Sequence, residues 1–341
     1  MGEVQSTFNY FKQEAEEPKE AFNWSSYNAS QMREKVFFVR LLRELCDLIT
    51  EPKHQRGRKP RSMGDTIYAL GLKTYLLLSS RRSCGDVKLS QKAGYVKKEY
   101  HFNTLLKYLN NPDIINVLKE LIEISAMPLK QVESDFAIDA TGFCVSRFVR
   151  YFDVRYGMNT KIRIFRKCHA VCGTKTNIIT SADVTPGPTH DSKKFEGLVI
   201  ATSRNFSVKE ISADKGYLSK KNYNIVKDLG GTAFIPFKES STGKAKVGGN
   251  SYVWRQMFKF FKENKEEFYK HYNKRQNIES CWSMIKARFG MNLRCKKDIA
   301  QDNEILLKIL CHNICILIQE IFLNNIEVDF KQCEKDHVAH K

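Results

Sequence analysis

Hydrophobic and polar residues follow a helical period in the first third of the chain and a strand-like pattern afterwards. Apolar residues recur every three or four positions over about 28–49, 65–78 and 112–125, which predicts three helices. The segment 81–111 predicts two shorter helices joined by a turn near Ala93-Gly94-Tyr95. We therefore expect an all-helical N-terminal region that ends near residue 130.

From Ser134 onwards, short runs of β-branched and aromatic residues predict strands. The expected elements, from the amino end, are strands over 135–139, 144–155 and 166–187, a helix over 192–201, a strand over 210–214, a helix over 220–229, a strand over 232–237 and a helix over 254–289. That order is typical of an RNase H-like fold. The predicted fold class is therefore α/β, with an RNase H-like mixed five-stranded sheet, flanking helices and a preceding all-helical DNA-binding region.

The charge of the chain calls for an anionic partner. The 341 residues carry a formal net charge of +18, and the isoelectric point is about 9.4. Nucleic acid is the first candidate partner and an acidic membrane surface the second. The charge is spread along the chain, which favours a long basic track and salt-sensitive binding. The most apolar window, 305–323, contains Lys308, His312 and Glu320, so it predicts a buried core helix and no membrane span.

The cysteines and the N-terminus favour a reducing compartment. Ten cysteines are scattered without a paired-motif spacing, and the polar, acidic start MGEVQSTFNYFKQEAEE does not fit a secretory signal. We expect free thiols and a cytoplasmic location.

Four polar residues near the C-terminal third fall on one face of a predicted helix. Tyr272, Arg275, Glu279 and Lys286 follow one another at intervals of three, four and seven residues. The face presents a carboxylate flanked by an aromatic hydroxyl and two cations, an arrangement that can hold a metal ion beside a polyanion. An ordinary solvated helix face is the other interpretation.

Two aspartates complete a pattern with this helix. Asp139 lies in Asp-Ala-Thr-Gly on the first predicted strand, and Asp214 lies in Ala-Asp-Lys-Gly-Tyr after the fourth. Together with the Tyr, two residues, Arg, three residues, Glu, six residues, Lys spacing, these motifs resemble the acidic triad of insertion-sequence DDE transposases. The resemblance covers about 83–320 and is strongest over 134–290.

The resemblance implies a metal-dependent DNA reaction. Asp139, Asp214 and Glu279 would hold two Mg²⁺ or Mn²⁺ ions, which suit carboxylate ligands. Water and then a terminal 3′-hydroxyl would act as nucleophiles, so that DNA is first cut and then joined to a target. The implied location is prokaryotic, cytoplasmic and associated with the nucleoid.

Further residues have candidate roles beside the triad. Tyr272, Arg275 and Lys286 would position DNA through its phosphates. The remaining candidates are phosphate contacts at Lys215 and Tyr217, for which a structural role is the alternative, and a supporting role near the metals for His190 and Asp191, where an N-cap explains Asp191 equally well.

The N-terminal region carries the candidate sequence-reading surfaces. Arg56 and Arg58, in Arg-Gly-Arg-Lys-Pro-Arg, resemble a minor-groove arm, and a solvated linker is the alternative. Lys97, Lys98 and Asn103 would lie on the outer face of a helix-turn-helix-like unit, and a plain helical hairpin is the alternative. The expected divisions are an N-terminal helix and linker over 1–60, a DNA-binding domain over 61–130, a catalytic domain over 131–323 and a tail over 324–341.

The expected function is therefore transposition. The protein would bind the terminal inverted repeats of its insertion sequence, cut there and transfer the strands to target DNA, as a homodimer in a synaptic complex and without a membrane partner. One alternative is a domesticated descendant that binds DNA and no longer cuts it. Another is an RNase H-like nuclease specific for DNA structure.

Overall fold

The helical period of the N-terminal region appears as helices in the structure. The computed structural model describes residues 22–51, 60–145, 165–243 and 252–339. The helices before the sheet are α1 (Trp24–Asp47), α2 (Met63–Tyr75), α3 (Ser83–Lys92), α4 (Phe102–Leu109) and α5 (Asp113–Ala126). A short 3₁₀ turn, Met127–Leu129, follows α5 and leads towards the sheet.

Helices α3 and α4 differ from a compact helix-turn-helix. Nine residues, from Ala93 to His101, connect them, whereas a helix-turn-helix has a connection of about 3–4 residues. Val87 and Leu105 are buried, but Leu89 and Leu106 are 64% and 46% exposed. Leu89 and Leu106 therefore do not pack in this unit, because buried neighbours occupy the inward face of each helix.

The β-rich region forms the predicted mixed sheet of five strands. The strands are β1 (Asp135–Cys144), β2 (Phe165–Gly173), β3 (Ile179–Pro186), β4 (Glu210–Ala213) and β5 (Thr232–Phe234). Their order across the sheet is β3-β2-β1-β4-β5. The pairs β1–β2 and β2–β3 are antiparallel, whereas β1–β4 and β4–β5 are parallel. Strand β1 is therefore central, and the RNase H-like fold class is confirmed.

The predicted strand 166–187 is in fact a hairpin. It contains most of β2 and all of β3, which turn through Thr174–Asn177, with Asn177 at a φ of 63°. The buried carboxylate of Glu133 accepts a hydrogen bond from the backbone N–H of Thr176 at 2.6 Å. A glutamate some forty residues upstream fixes this turn, so the local run of strand-forming residues did not reveal it.

Strand β1 runs beyond its predicted end. Asp139 was expected to be its last residue, but pairing with β2 continues to the partners Cys144 and Phe165. The predicted strand 144–155 lies mainly outside the described residues, and Cys144 is the end of β1.

The helices of the C-terminal half are α6 (Ser192–Ser203), α7 (Lys220–Asp228), α8 (Tyr252–Glu263), α9 (Lys265–Asn273), α10 (Gln276–Phe289), α11 (Asp298–Asn324) and α12 (Phe330–Ala339). The single helix expected over 254–289 is wrong, because this stretch forms α8, α9 and α10. Tyr272 therefore belongs to α9 and Glu279 to α10. The two linking residues Lys274 and Arg275 keep right-handed helical dihedral angles, so the periodicity continues across the break.

Helix α11 is the core helix that the two regions share. By length and composition it is long and apolar enough to cross a membrane, but 83% of its apolar window is buried inside the protein. It packs against α1, α2 and α5 and against β3. Its buried Asn313 accepts a hydrogen bond from the N–H of Ile179 and donates to the carbonyl of the same residue. The N-terminal helices and the sheet thus bury one continuous apolar core.

Candidate active site

The first two candidate carboxylates follow paired residues of neighbouring parallel strands. Ile138 of β1 and Ala213 of β4 are register partners; Asp139 is the next residue on β1, and Asp214 directly follows the last residue of β4. Neighbouring strands lie about 4.8 Å apart, and residues in register point to the same face. The sheet topology therefore brings together two aspartates that are 75 residues apart in the sequence.

Two lysines fix α10 along β1. The ammonium of Lys274, just before α10, donates to Asp135 at 2.6 Å and to Glu210 at 2.9 Å, at the starts of β1 and β4. Lys286, near the end of α10, donates to the hydroxyl of Thr141 at 2.5 Å. Twelve helical residues span about 18 Å, and six strand residues span about 20 Å. The helix and the strand therefore run side by side.

Glu279 on α10 is among the charges that act on Asp139. The pKa of Asp139 is raised to about 6, mainly by burial and in smaller part by the negative charges of Glu279 and Asp214. A hydrogen bond from the backbone N–H of Ala140 and the cation of Arg275 act in the opposite direction. Glu279 on α10 and Asp214 after β4 are thus both within electrostatic reach of Asp139 on β1.

Arg275 neutralises part of this charge. Its guanidinium forms an ion pair with Glu279, one helical turn further on, and lies 5.9 Å from the centre of the Tyr272 ring. Burial opposes the charge of Arg275, but the pKa of the guanidinium is raised by Tyr272, Glu279 and Asp139. In the structure a protein cation therefore occupies the position beside Glu279.

The donor set fits Mg²⁺ or Mn²⁺ in its chemistry. Three carboxylates supply hard oxygen ligands, and a divalent cation would favour the charged form of Asp139, whose pKa is raised by burial and by the neighbouring carboxylates. Within the described residues, no three His, Cys, Asp or Glu side chains are already arranged as a metal-binding group. Glu279 would exchange its ion pair with Arg275 for a metal contact.

The residues after Asp214 divide into an exposed and a buried part. Lys215 and Tyr217 lie in a short 3₁₀ turn; Lys215 is exposed, whereas Tyr217 is 2% exposed. The hydroxyl of Tyr217 has no hydrogen-bond partner among the described residues. Its pKa is raised by burial and by the charges of Asp191, Asp139 and Asp214. Its burial corrects the expected phosphate contact, because no surface of this tyrosine is accessible to DNA.

Asp191 is held by β2 and makes no helix-capping hydrogen bond. It occupies the N-cap position of α6, yet its side chain makes no cap hydrogen bond. It pairs instead with Lys167, and its Oδ1 lies 3.5 Å from Nδ1 of the buried His169. His190 is exposed, and its ring nitrogen accepts a hydrogen bond from the N–H of Ser192. Of the pair His190 and Asp191, only Asp191 is among the charges that influence Tyr217.

Sequence reasoning missed the lysines and the histidine that support these side chains. Lys274 lies inside the Tyr-Arg-Glu-Lys spacing, but nothing local marks its distant partners on β1 and β4. Lys167 and His169 stand on alternate positions of β2, and that spacing places both on one face of the strand. The alternate spacing of Lys167 and His169 was therefore the sequence signal that could have identified this pair.

The candidate DNA contacts of the N-terminal region lie apart from the carboxylates in sequence. Lys97, Lys98 and Asn103 are exposed. The backbone N–H of Lys97 donates to Asp65 on α2 at 2.9 Å, which holds the α3–α4 connection against that helix. Arg56 and Arg58 lie outside the described residues.

Comparison with known proteins gives one finding for this chain. A family model described as "Transposase DDE domain" matches residues 130–314. This range contains the whole sheet, the three carboxylates and most of α11. No curated protein and no solved structure matches the chain.

Proposed function

The chain belongs to the transposase DDE domain family, and from this premise we propose that it acts on the terminal inverted repeats of its own mobile element. It would bind these ends, cleave the DNA there and transfer the strands to target DNA. The observation that carries the proposal is the parallel register of β1 and β4, which sets Asp139 beside Asp214, together with the influence of Glu279 on the pKa of Asp139.

Asp139, Asp214 and Glu279 are the residues that would hold two Mg²⁺ or Mn²⁺ ions. When bound, the ions supply an activated oxygen nucleophile and stabilise the negative charge on the leaving oxygen. Asp139 lies on the central strand β1, which neighbours both β4, the strand before Asp214, and α10, the helix of Glu279. It would therefore be the residue that contacts both ions. The rigid β1–β4 pairing fixes the two aspartates before DNA binds.

The cations around the triad would position the scissile phosphate. Arg275, which pairs with Glu279, would donate to a phosphate oxygen if Glu279 held a metal ion. Lys286 sits on the same helix beyond Glu279, Tyr272 packs beside Arg275, and Lys215 is exposed next to Asp214. Such contacts place a strand without reading its sequence.

Sequence recognition is assigned to the N-terminal region. Lys97, Lys98 and Asn103 would contact the terminal repeat, with Arg56 and Arg58 in the neighbouring minor groove. The reaction needs two ends held together, so the functional unit would be a homodimer in a synaptic complex. The protein would work in the cytoplasm, on DNA and without a membrane partner.

A cleavage assay tests the proposed function. A duplex carrying the sequence that flanks the gene is incubated with Mg²⁺ and with wild type, Glu279→Ala or the control Glu266→Ala. Glu266 is an exposed acid in the first turn of α9, so the control makes the same chemical change away from the triad. We expect nicks at the repeat end with wild type and control, and none with Glu279→Ala, which still binds the duplex.

Two results would contradict the proposal. End-specific binding by wild type without cleavage in Mg²⁺ or Mn²⁺ would favour a DNA-binding descendant that does not cut. Cleavage of branched DNA regardless of its sequence would favour a structure-specific nuclease.

A further inference from the structure

The loop between α10 and α11, residues 290–297, is held on its inner side by buried polar side chains of α11. The ammonium of Lys308, 3% exposed, donates to the carbonyls of Gly290 at 2.8 Å and Asn292 at 3.2 Å. Burying a lysine in the core is unfavourable unless it has such partners. We call residues 290–297 the basic loop.

The second half of the basic loop is fixed in the same way. The carboxylate of Glu304 accepts the backbone N–H groups of Arg294 and Cys295, at 3.0 and 2.9 Å. The amide of Gln301 donates to the carbonyls of Cys295 and Lys296. Glu304 and Gln301 are 5% and 2% exposed. The backbone of the loop is therefore held on its inner side, and its conformation does not depend on its outward-facing cations.

The basic loop is joined to the strand that carries Asp139. Cys144, the last residue of β1, forms a parallel bridge with Asn292. Its N–H donates to the carbonyl of Met291, and its carbonyl accepts the N–H of Leu293 at 2.8 Å. The loop thus pairs with β1 five residues beyond the candidate metal ligand, about 17 Å along the strand.

The outer side of the basic loop is cationic. Arg294, Lys296 and Lys297 are exposed, and the sequence from Ser280 to Lys297 contains no acidic residue. The next acid, Asp298, points its carboxylate to Arg166 at 3.5 Å. These three charged side chains are exposed to water, so the outer side of the loop is available to an anion.

The basic loop also contacts the helical region. Arg294 donates to the carbonyl of Leu77, just after α2, at 2.6 Å. Leu77 has a φ of 56°, a left-handed conformation that is unfavourable for leucine, and a cleft of about 170 Å³ opens between it and the loop. A few residues further on, the exposed Arg81 packs over Phe102, the first residue of α4.

We propose that the basic loop is a phosphate-binding ridge for the duplex between the cleavage site and the N-terminal helices. It rests on the proposed function, because it supplies the path that DNA takes from Asp139 to the predicted sequence-reading unit. A preordered backbone with outward cations suits a phosphate row, since the loop loses little conformational freedom when DNA binds. Arg294, Lys296 and Lys297 are the contact residues.

Salt-dependent binding tests the ridge. The full chain binds a fluorescein-labelled duplex of random sequence, without divalent metal, and anisotropy gives the affinity over a range of salt concentrations. The test variant is Lys296→Gln with Lys297→Gln. The control is Lys331→Gln with Lys335→Gln, two exposed lysines on α12, which packs on α5 and on the 3₁₀ turn before β1. Both variants remove the same charge.

We expect the loop variant to bind more weakly and to lose about 1–2 from the magnitude of the log–log salt slope, because each lost phosphate contact removes about 0.9. The control should match wild type. Arg294→Gln is measured separately with its melting temperature, since Arg294 also bonds Leu77.

Three outcomes would overturn the ridge or the function beneath it. A loop variant with the affinity and slope of wild type would remove the ridge and leave the proposed function intact. Equal losses in loop and control variants would mean that any lysine contributes and that no defined path exists. A wild-type protein that does not bind duplex DNA would contradict the proposed function itself.

Discussion

At the scale of single residues, Asp139 is a carboxylate whose surroundings oppose its charge. It is half-buried on β1 and is influenced by two further carboxylates, and Arg275 compensates only in part. The three carboxylates were predicted from their local motifs, and their role stays a prediction. The sequence did not predict that Glu279 is paired with Arg275, or that Tyr217 is buried, since both depend on how separate elements pack.

Replacing Asp139 by Asn should change stability in a pH-dependent way. The pKa of Asp139 in the folded protein, about 6, exceeds its ordinary value of 3.8, so ionisation destabilises the fold as the pH rises through 6. Asp139→Asn should therefore be more stable than wild type above pH 6, by up to about 3 kcal/mol, with little difference near pH 4. Urea unfolding in EDTA measures this.

The matched control for that experiment is Asp228→Asn, an exposed acid at the end of α7. It should show no pH-dependent difference from wild type. An Asp139→Asn variant whose stability difference is the same at pH 4 and pH 8 would contradict the electrostatic account.

Replacing Arg275 by Gln should increase the effect of metal on stability. The variant loses the cation that pairs with Glu279. Because Glu279 is half exposed, the ion pair itself contributes less than about 1 kcal/mol. The melting temperature without metal should fall slightly, and the rise on adding Mg²⁺ should be larger than in wild type. An equal or smaller rise would mean that Arg275 and the metal do not compete.

At the scale of elements, α10 owes its position to ion pairs at its start and a hydrogen bond near its end. Its buried face, Ile278, Trp282 and Ile285, follows from the apolar period. The break before α10 does not follow from the apolar period, because Lys274 at this break bonds to Asp135, which is 139 residues away. The hairpin of β2 and β3 was hidden for a similar reason. Local periodicity gives the faces of elements, and long-range polar contacts decide where several of them end.

Replacing Lys274 by Met should destabilise the protein. Asp135 and Glu210, each with 18% of its side chain exposed, would lose their shared cation. Asp135 would lose its cation and Glu210 would keep its contact with His271 at 2.9 Å, so the loss should cost about 2–3 kcal/mol. Adding Glu210→Gln should recover part of the loss, because it removes one of the two carboxylates that shared the lysine. Urea denaturation of both variants decides this, and a double variant no more stable than the single one would be inconsistent with the ion cluster.

At the scale of the whole molecule, the helical region and the sheet share a core. Phe37 of α1 packs on Phe322 of α11 with ring centres 5.2 Å apart, and Glu34 of α1 pairs with Arg288 of α10. The fold class was predicted correctly from the sequence, but the change of hydrophobic period near residue 130 carries no information on this packing. The limits of the predicted domains therefore remain a prediction.

Deleting residues 1–60 should weaken the catalytic region as well as DNA binding. The deletion removes α1 and uncovers the apolar surface of α11 against which it packs. We expect residues 61–341 to unfold at a lower temperature than the full chain, with less cooperativity, as monitored by circular dichroism. A truncated chain with the melting curve of the full chain would show that the two regions are energetically independent.

Metal binding by the three carboxylates tests the central claim most directly. Mn²⁺ binding is followed by electron paramagnetic resonance with wild type, Asp214→Asn and the control Asp228→Asn, each with a DNA duplex present. Wild type and control should bind Mn²⁺ alike, and Asp214→Asn should bind it at least tenfold more weakly, since one ligand is lost (about 1.4 kcal/mol per tenfold). Equal Mn²⁺ affinity in wild type and Asp214→Asn would contradict the claim that Asp139, Asp214 and Glu279 form one metal site.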